Sequence, residues 1–159
     1  MHSHGGVIGF SFHRNSVQMT ADTIAILDDE PERLEAMMPV LRELYPALKL
    51  ISFDNAPDIN TWFADNLKSC VLICLDHDLG PNRKRDDTVF DPGIGRDVAD
   101  YLASRGPVCP IIIHTTNTAA RPGMIFVLED GGWDVSYVSP YSDLLWVREM
   151  WADEVRSVL

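Results

Sequence analysis

The sequence predicts one α/β domain built on a doubly wound, five-stranded parallel sheet, and three observations lead there. A chain of 159 residues suits a single domain that buries roughly two thirds of the surface it would expose unfolded. From Thr23 onward, short β-rich apolar runs alternate with segments of helical period. Polar and acidic residues follow most of those runs, where open parallel sheets collect their ligands.

The first 22 residues are rich in Gly, Ser, His and Asn, with Val7 to Phe12 as the only apolar part. They read as a tail or an added edge strand, so the domain proper is expected over 23–159. Strands are expected over 24–27, 48–53, 71–75, 111–113 and 133–138. Leu34, Met37, Met38, Leu41 and Leu44 share one face of a first helix, with Pro39 expected to kink it. Asn55 before Pro57 is placed to cap a second helix carrying Ile59, Trp62, Phe63 and Leu67. Val98, Ala99, Leu102 and Ala103 mark a third, expected to stop at Gly106. A fourth is expected over 119–129, closed by Gly131 and Gly132. Leu144, Val147, Trp151, Val155 and Val158 stripe a fifth, with Ser142 as its cap. The polar, turn-rich stretch GPNRKRDDTVFDPG over 80–93 is a long loop and a candidate lid.

Thirteen basic against 24 acidic side chains give a net charge of −11, which opposes bulk binding to nucleic acid or to an anionic membrane. No apolar stretch approaches the ~20 residues of a membrane span, and the first 19 residues lack the pattern of a signal peptide. Cys70, Cys74 and Cys109 are odd in number and lie in or beside apolar runs, so free thiols in a reducing, cytoplasmic setting are expected.

The candidate chemistry sits at the strand ends. The first run ends in Asp28, Asp29 and Glu30, the third in Asp76, His77 and Asp78, the fourth in His114, Thr115, Thr116 and Asn117. Carboxylates gathered in one crevice repel, and the usual compensation is a hard, oxygen-loving divalent ion such as Mg²⁺ or Mn²⁺. Asp28, Asp29, Asp76 and Asp78 are its candidate ligands. The alternative for Asp29 and Glu30 is that they only favour a helix N-terminus. His77 and His114 beside such a cluster suit general acid and base work, because imidazole titrates near neutrality. His2, His4 and His13 lie in the tail and carry no site. Trp133, Trp146 and Trp151 read as packing.

The arrangement resembles the receiver domain of two-component signalling. LDD over 27–29 resembles its metal-binding acid pair, DHDLG its phospho-acceptor turn with Asp76 in the acceptor place, and PIIIHTT the strand that ends in a switch Thr, here Thr115. Receivers place a Lys before the Pro after the fifth strand, whereas this chain has Ser139 before Pro140. The chain is more closely similar to the divergent cyclic-phosphate-processing receiver-like family. LDD, LDHDLG over 75–80, the Gly-led GRDVADYL from Gly95 and HTTNTAARPGM over 114–124 carry that likeness. Thr118 and Ala120 depart from it, as does the enlarged loop before Gly93.

The resemblance implies a flavodoxin-like sheet of strand order 2-1-3-4-5 and binding or hydrolysis of a cyclic phosphate on a nucleotide or RNA end. In that reading Asp76, His77, His114, Thr115 and Asn117 form the catalytic set, and Arg96, Arg121 and Lys84 meet the phosphate. The rival expectation is a stand-alone receiver or pseudo-receiver, phosphorylated at Asp76 or acting through a protein partner. A sensor that binds a cyclic nucleotide without cleaving it would use the same pocket.

Overall fold

The computed structural model describes residues 20–141 and 143–159. The expected tail therefore lies almost wholly outside the described residues, as does the expected cap Ser142. β1 (Thr23–Leu27), β2 (Lys49–Phe53), β3 (Cys70–Leu75), β6 (Ile111–His114) and β7 (Val135–Val138) form one parallel sheet in the order β2-β1-β3-β6-β7. With β4 (Arg83–Arg85) and β5 (Thr88–Phe90), a separate hairpin, set aside, this is the expected 2-1-3-4-5 order.

The central strands are apolar on both faces because both faces are covered. Alternate residues divide between two cores, following the period of two along a strand. Ala25, Leu27, Ile73, Leu75, Ile111 and Ile113 meet α2 (Ala56–Asn66), α3 (Gly95–Ala103) and α4 (Arg121–Asp130) through Ile59, Phe63, Val98, Leu102, Met124 and Leu128. Ile24, Ile26, Leu72, Cys74 and Ile112 meet α1 (Pro31–Leu44) and α5 (Ala152–Val158) through Met37, Leu41 and Val155. The three cysteines are free, with Cys70 and Cys74 buried. No helix among the described residues is long and apolar enough to cross a membrane.

Four expectations change. The fourth helix, expected from residue 119, begins at Arg121. Helix α1 carries Pro39 inside it, as expected. Pro39 and Glu35 are both on the exposed side, so the carbonyl that loses its helical partner is open to water. The strand expected from residue 133 begins at Val135, and Trp133 instead donates its indole N–H to the Leu102 carbonyl at 2.9 Å. The last helix begins with a wider π turn, Val147–Trp151, and Leu144 is 41% exposed rather than part of the buried stripe.

The fourth change is the stretch over 80–93, which is not a structureless loop. β4 (Arg83–Arg85) pairs antiparallel with β5 (Thr88–Phe90) across Asp86 and Asp87, both at positive φ, the backbone of a tight hairpin turn that Asp tolerates. Arg83 and Arg85 lie over the Phe90 ring and bond to Asp54 at 2.8 Å and Asp58 at 3.0 Å, which anchors the hairpin to the start of α2. The Asn55 side chain caps α2 by accepting the Asp58 N–H at 2.8 Å, as the sequence predicts.

Helix α3 enters hard against the end of β3. Gly95 donates its N–H to the His77 carbonyl at 2.7 Å, and a Cβ at Gly95 would stand 2.1 Å from the Asp76 carbonyl oxygen. Backbone cannot yield there as a flexible side chain would. Gly95→Ala is expected to destabilise the fold by at least the ~1–3 kcal/mol typical of overpacking, read as the shift in urea unfolding midpoint. Gly106→Ala, with nothing within 4 Å, is the neutral control.

Candidate metal and phosphate site

The site is built by continuing the ladder of the sheet past its last apolar residues. Asp28 donates its backbone N–H to the Phe53 carbonyl at 3.0 Å, and Asp76 donates to the Leu27 carbonyl at 2.9 Å. Both side chains are thereby fixed at adjacent strand ends, and both are buried, Asp28 fully and Asp76 to 3% exposure. Asp28, Asp29 and Asp76 each offer a carboxylate oxygen, and the three lie within 4.8 Å of one another. An all-oxygen set this close suits Mg²⁺ or Mn²⁺ rather than a softer ion.

Four further groups stabilise the two buried carboxylates. His114, also fully buried, bonds through Nε2 to Asp28 Oδ2 at 3.0 Å. Asp28 Oδ1 accepts the Glu30 N–H at 2.9 Å, and Asp76 Oδ1 accepts the His77 N–H at 2.7 Å. Arg33, in the first turn of α1, brings Nη1 to 3.4 Å from Asp76 Oδ2 and 3.7 Å from Asp28 Oδ2. Its Nε is 3.3 Å from Glu30 Oε2. Trp146 walls this corner, stacked on His114 at 6.1 Å and beneath the Arg33 guanidinium at 5.9 Å.

Asp78 lies outside the three-acid cluster. Its exposed carboxylate takes His77 Nδ1 at 2.9 Å and Asn117 Nδ2 at 3.2 and 3.3 Å. Facing a carboxylate acceptor, Nδ1 carries the proton in this contact. Asn117 also accepts the Ala120 N–H at 2.9 Å, and the buried Thr115 hydroxyl accepts the Asn117 N–H at 3.1 Å. The HTTN segment is thus a clasp from β6 to the loop before α4 and onto Asp78.

A family model described as the cyclic-phosphate processing receiver domain matches residues 24–130, from β1 to the end of α4. The chain belongs to this family. Several solved structures share the fold of this receiver domain. The phosphorylated cyanobacterial phytochrome response regulator RcpA is 13% identical, covering 87% of this chain and 93% of its own, with a TM-score of 0.65. The Mn²⁺-bound response regulator Rcp1 is 14% identical over 86% and 92%, with a TM-score of 0.62. A receiver domain from Rhodospirillum rubrum is 19% identical over 85% and 89%, with a TM-score of 0.55. No curated protein matches the chain.

The basic residues expected at the phosphate divide. Arg121 donates from Nη1 to the Ser139 hydroxyl at 2.8 Å and lies over the Tyr137 ring, so a guanidinium stands at the strand end where other receivers place a Lys. Arg96 pairs with Asp100 at 2.8 Å, and its Nη1 would be 3.0 Å from a Cβ at Gly123 in the first turn of α4. Lys84 is exposed on the hairpin, between the two anchored arginines. Arg33 was not among the expected site residues. The only signal for it is the Glu30–Arg33 spacing of an i,i+3 pair, which many surface helices share.

Burial pushes the Asp76 carboxyl up to about 6, with Asp28 adding repulsion while His114, the His77 N–H and Arg33 pull the other way. Burial and the charge of Asp28 also raise Asp29. Asp78 is held below the ordinary range, first by His77 and then by Asn117. For Asp76 the folded value exceeds the unfolded one, so its contribution to stability is full below pH 3.8 and is lost as pH rises through about 6. In chelator, Asp76→Asn is therefore expected to be more stable than the wild type at pH 8 by roughly 2–3 kcal/mol. Urea melts at several pH values should show that gap closing towards pH 4.

Proposed function

We propose that this receiver domain binds a cyclic phosphate on a nucleotide or RNA end through a divalent ion, Mg²⁺ or Mn²⁺, and opens the ring by hydrolysis. The observation that carries the reading is an oriented acid–base dyad, His77–Asp78, one residue along the chain from a three-carboxylate cluster. Mn²⁺ in the similarly folded Rcp1 supports the choice of ion. An ion held by Asp28, Asp29 and Asp76 would lower the pKa of bound water and draw charge from the phosphate.

His77 Nε2 takes a proton from water as the new P–O bond forms. It returns that proton to the ester oxygen as the old P–O bond breaks, so the ring ends neutral and the product is a phosphomonoester with a free hydroxyl. Asp78 and Asn117 hold the imidazole in the required tautomer. His114 acts indirectly: with no exposed surface and Nε2 committed to Asp28, it orients a metal ligand rather than reaching substrate. Arg121 and Arg96 at the start of α4, with Lys84 on the hairpin, supply positive charge for the phosphate.

Storage of a phosphoryl group on Asp76 is the rival reading, and RcpA is a phosphorylated relative in fold. One feature of this chain weighs against it: Ser139 stands where receivers place the lysine.

The protein with Mg²⁺ or Mn²⁺ is expected to open at least one member of a panel of 2′,3′- and 3′,5′-cyclic phosphates. His77→Gln should lower kcat by ~10²–10⁴-fold with little change in KM. His114→Gln should weaken metal binding ~10–100-fold, read by calorimetry. No opening of any panel member would sink hydrolysis, and retained binding would leave a sensor. A stable mass increase at Asp76 after acetyl phosphate would favour the signalling reading.

A further inference from the structure

Arg33 is a buried cation that the proposed chemistry does not use. Its guanidinium lies 3.4 Å from Oδ2 of Asp76 and 3.7 Å from Oδ2 of Asp28, the latter also bonded by His114 Nε2 at 3.0 Å. The companion oxygens accept backbone N–H groups, Oδ1 of Asp28 from Glu30 and Oδ1 of Asp76 from His77. A divalent ion held by Asp28 and Asp76 would compete with the guanidinium for these carboxylates. Two cations sharing them at such distances, in a site that excludes water, repel strongly.

We propose that Arg33 is a tethered counter-ion: without metal its guanidinium bridges Asp28 and Asp76 in place of a divalent ion, and loading the ion drives it off Asp76 towards the rim. The inference rests on the metal-binding part of the reading above. The side chain has somewhere to go. Its Nε already lies 3.3 Å from Glu30 Oε2, and that carboxylate is 57% exposed. A pivot about this contact moves Nη1 outward while the charge stays paired. Trp146, stacked on His114 and with its ring centroid 5.9 Å from the guanidinium carbon, borders the inner position. Arg33 is thus a positioning residue. It allows two buried carboxylates to coexist in the empty pocket, and it sets a threshold that an incoming ion must exceed. Once displaced, the guanidinium is free to take a phosphate oxygen.

The test is Mn²⁺ binding to the full chain with no phosphate compound present, read from the electron paramagnetic resonance signal of free Mn²⁺. Arg33→Gln is expected to bind Mn²⁺ at least tenfold more tightly than the wild type. Its melting midpoint should fall in chelator and return to the wild-type value at saturating Mn²⁺. A merely structural arginine would instead leave binding equal or weaker, and either result overturns the inference. Should the variant not fold in chelator, a crystal structure of the Mn²⁺-loaded wild type decides. Separation of Arg33 Nη1 from Asp76 Oδ2 beyond 4 Å supports displacement, and a retained contact near 3.4 Å refutes it. A protein that behaves as stated but opens no cyclic phosphate removes only the catalytic reading. One that binds no Mn²⁺ in either form overturns the inference itself.

Discussion

Asp28 and Asp76 have almost no contact with water, and the fold around them is organised to make two such carboxylates tolerable. Isolated buried charge is among the most expensive things a protein can hold. Here the compensation is drawn from three separate elements: Arg33 from α1, His114 from β6, and backbone N–H groups that follow the two strands. Each contributor is held by packing elsewhere, Arg33 and His114 by the Trp146 ring. The compensation is incomplete, and the Asp76 carboxyl held near 6 is the measure of what remains. A pocket whose negative charge is left partly uncompensated is one that a further cation stabilises.

The crevice also divides in two. On the α1 side lie Arg33, His114 and Trp146, buried and committed to the carboxylates. On the α3 and α4 side lie His77, Asp78, Asn117, Arg96 and Arg121, most of them with some exposure. The buried half holds the carboxylates, and the other half opens towards solvent. Two histidines at neighbouring strand ends thus have unlike surroundings, His114 facing the buried Asp28 and His77 the exposed Asp78.

The five strands of the sheet were legible because parallel strands covered on both faces must be apolar runs, and Ile24 to Leu27 or Ile111 to Ile113 have few other uses. The acids were legible for the converse reason, since Asp28 and Asp76 break such runs abruptly. What sequence concealed depended on contacts between distant segments. The hairpin of three-residue strands has no apolar period, and its existence rests on Arg83 and Arg85 finding Asp54 and Asp58 nearly thirty positions earlier. Asp78 reads like its neighbour Asp76, yet its partners are His77 and an asparagine from the loop after β6. Arg33 looks like an ordinary charge in a first helical turn, and only the closure of α1 onto the sheet turns it inward.

The π turn at Val147–Trp151 sets how two aromatic side chains meet the core. A wider turn of this kind accommodates one more residue than an α-helix needs, and here it lets Trp146 and Trp151, five positions apart, both reach the core. An α-helix at that spacing would rotate one of them by roughly 140° relative to the other. The aromatic wall of the acidic pocket and the apolar face of α5 therefore share one side of the sheet, although a regular helix would point them apart.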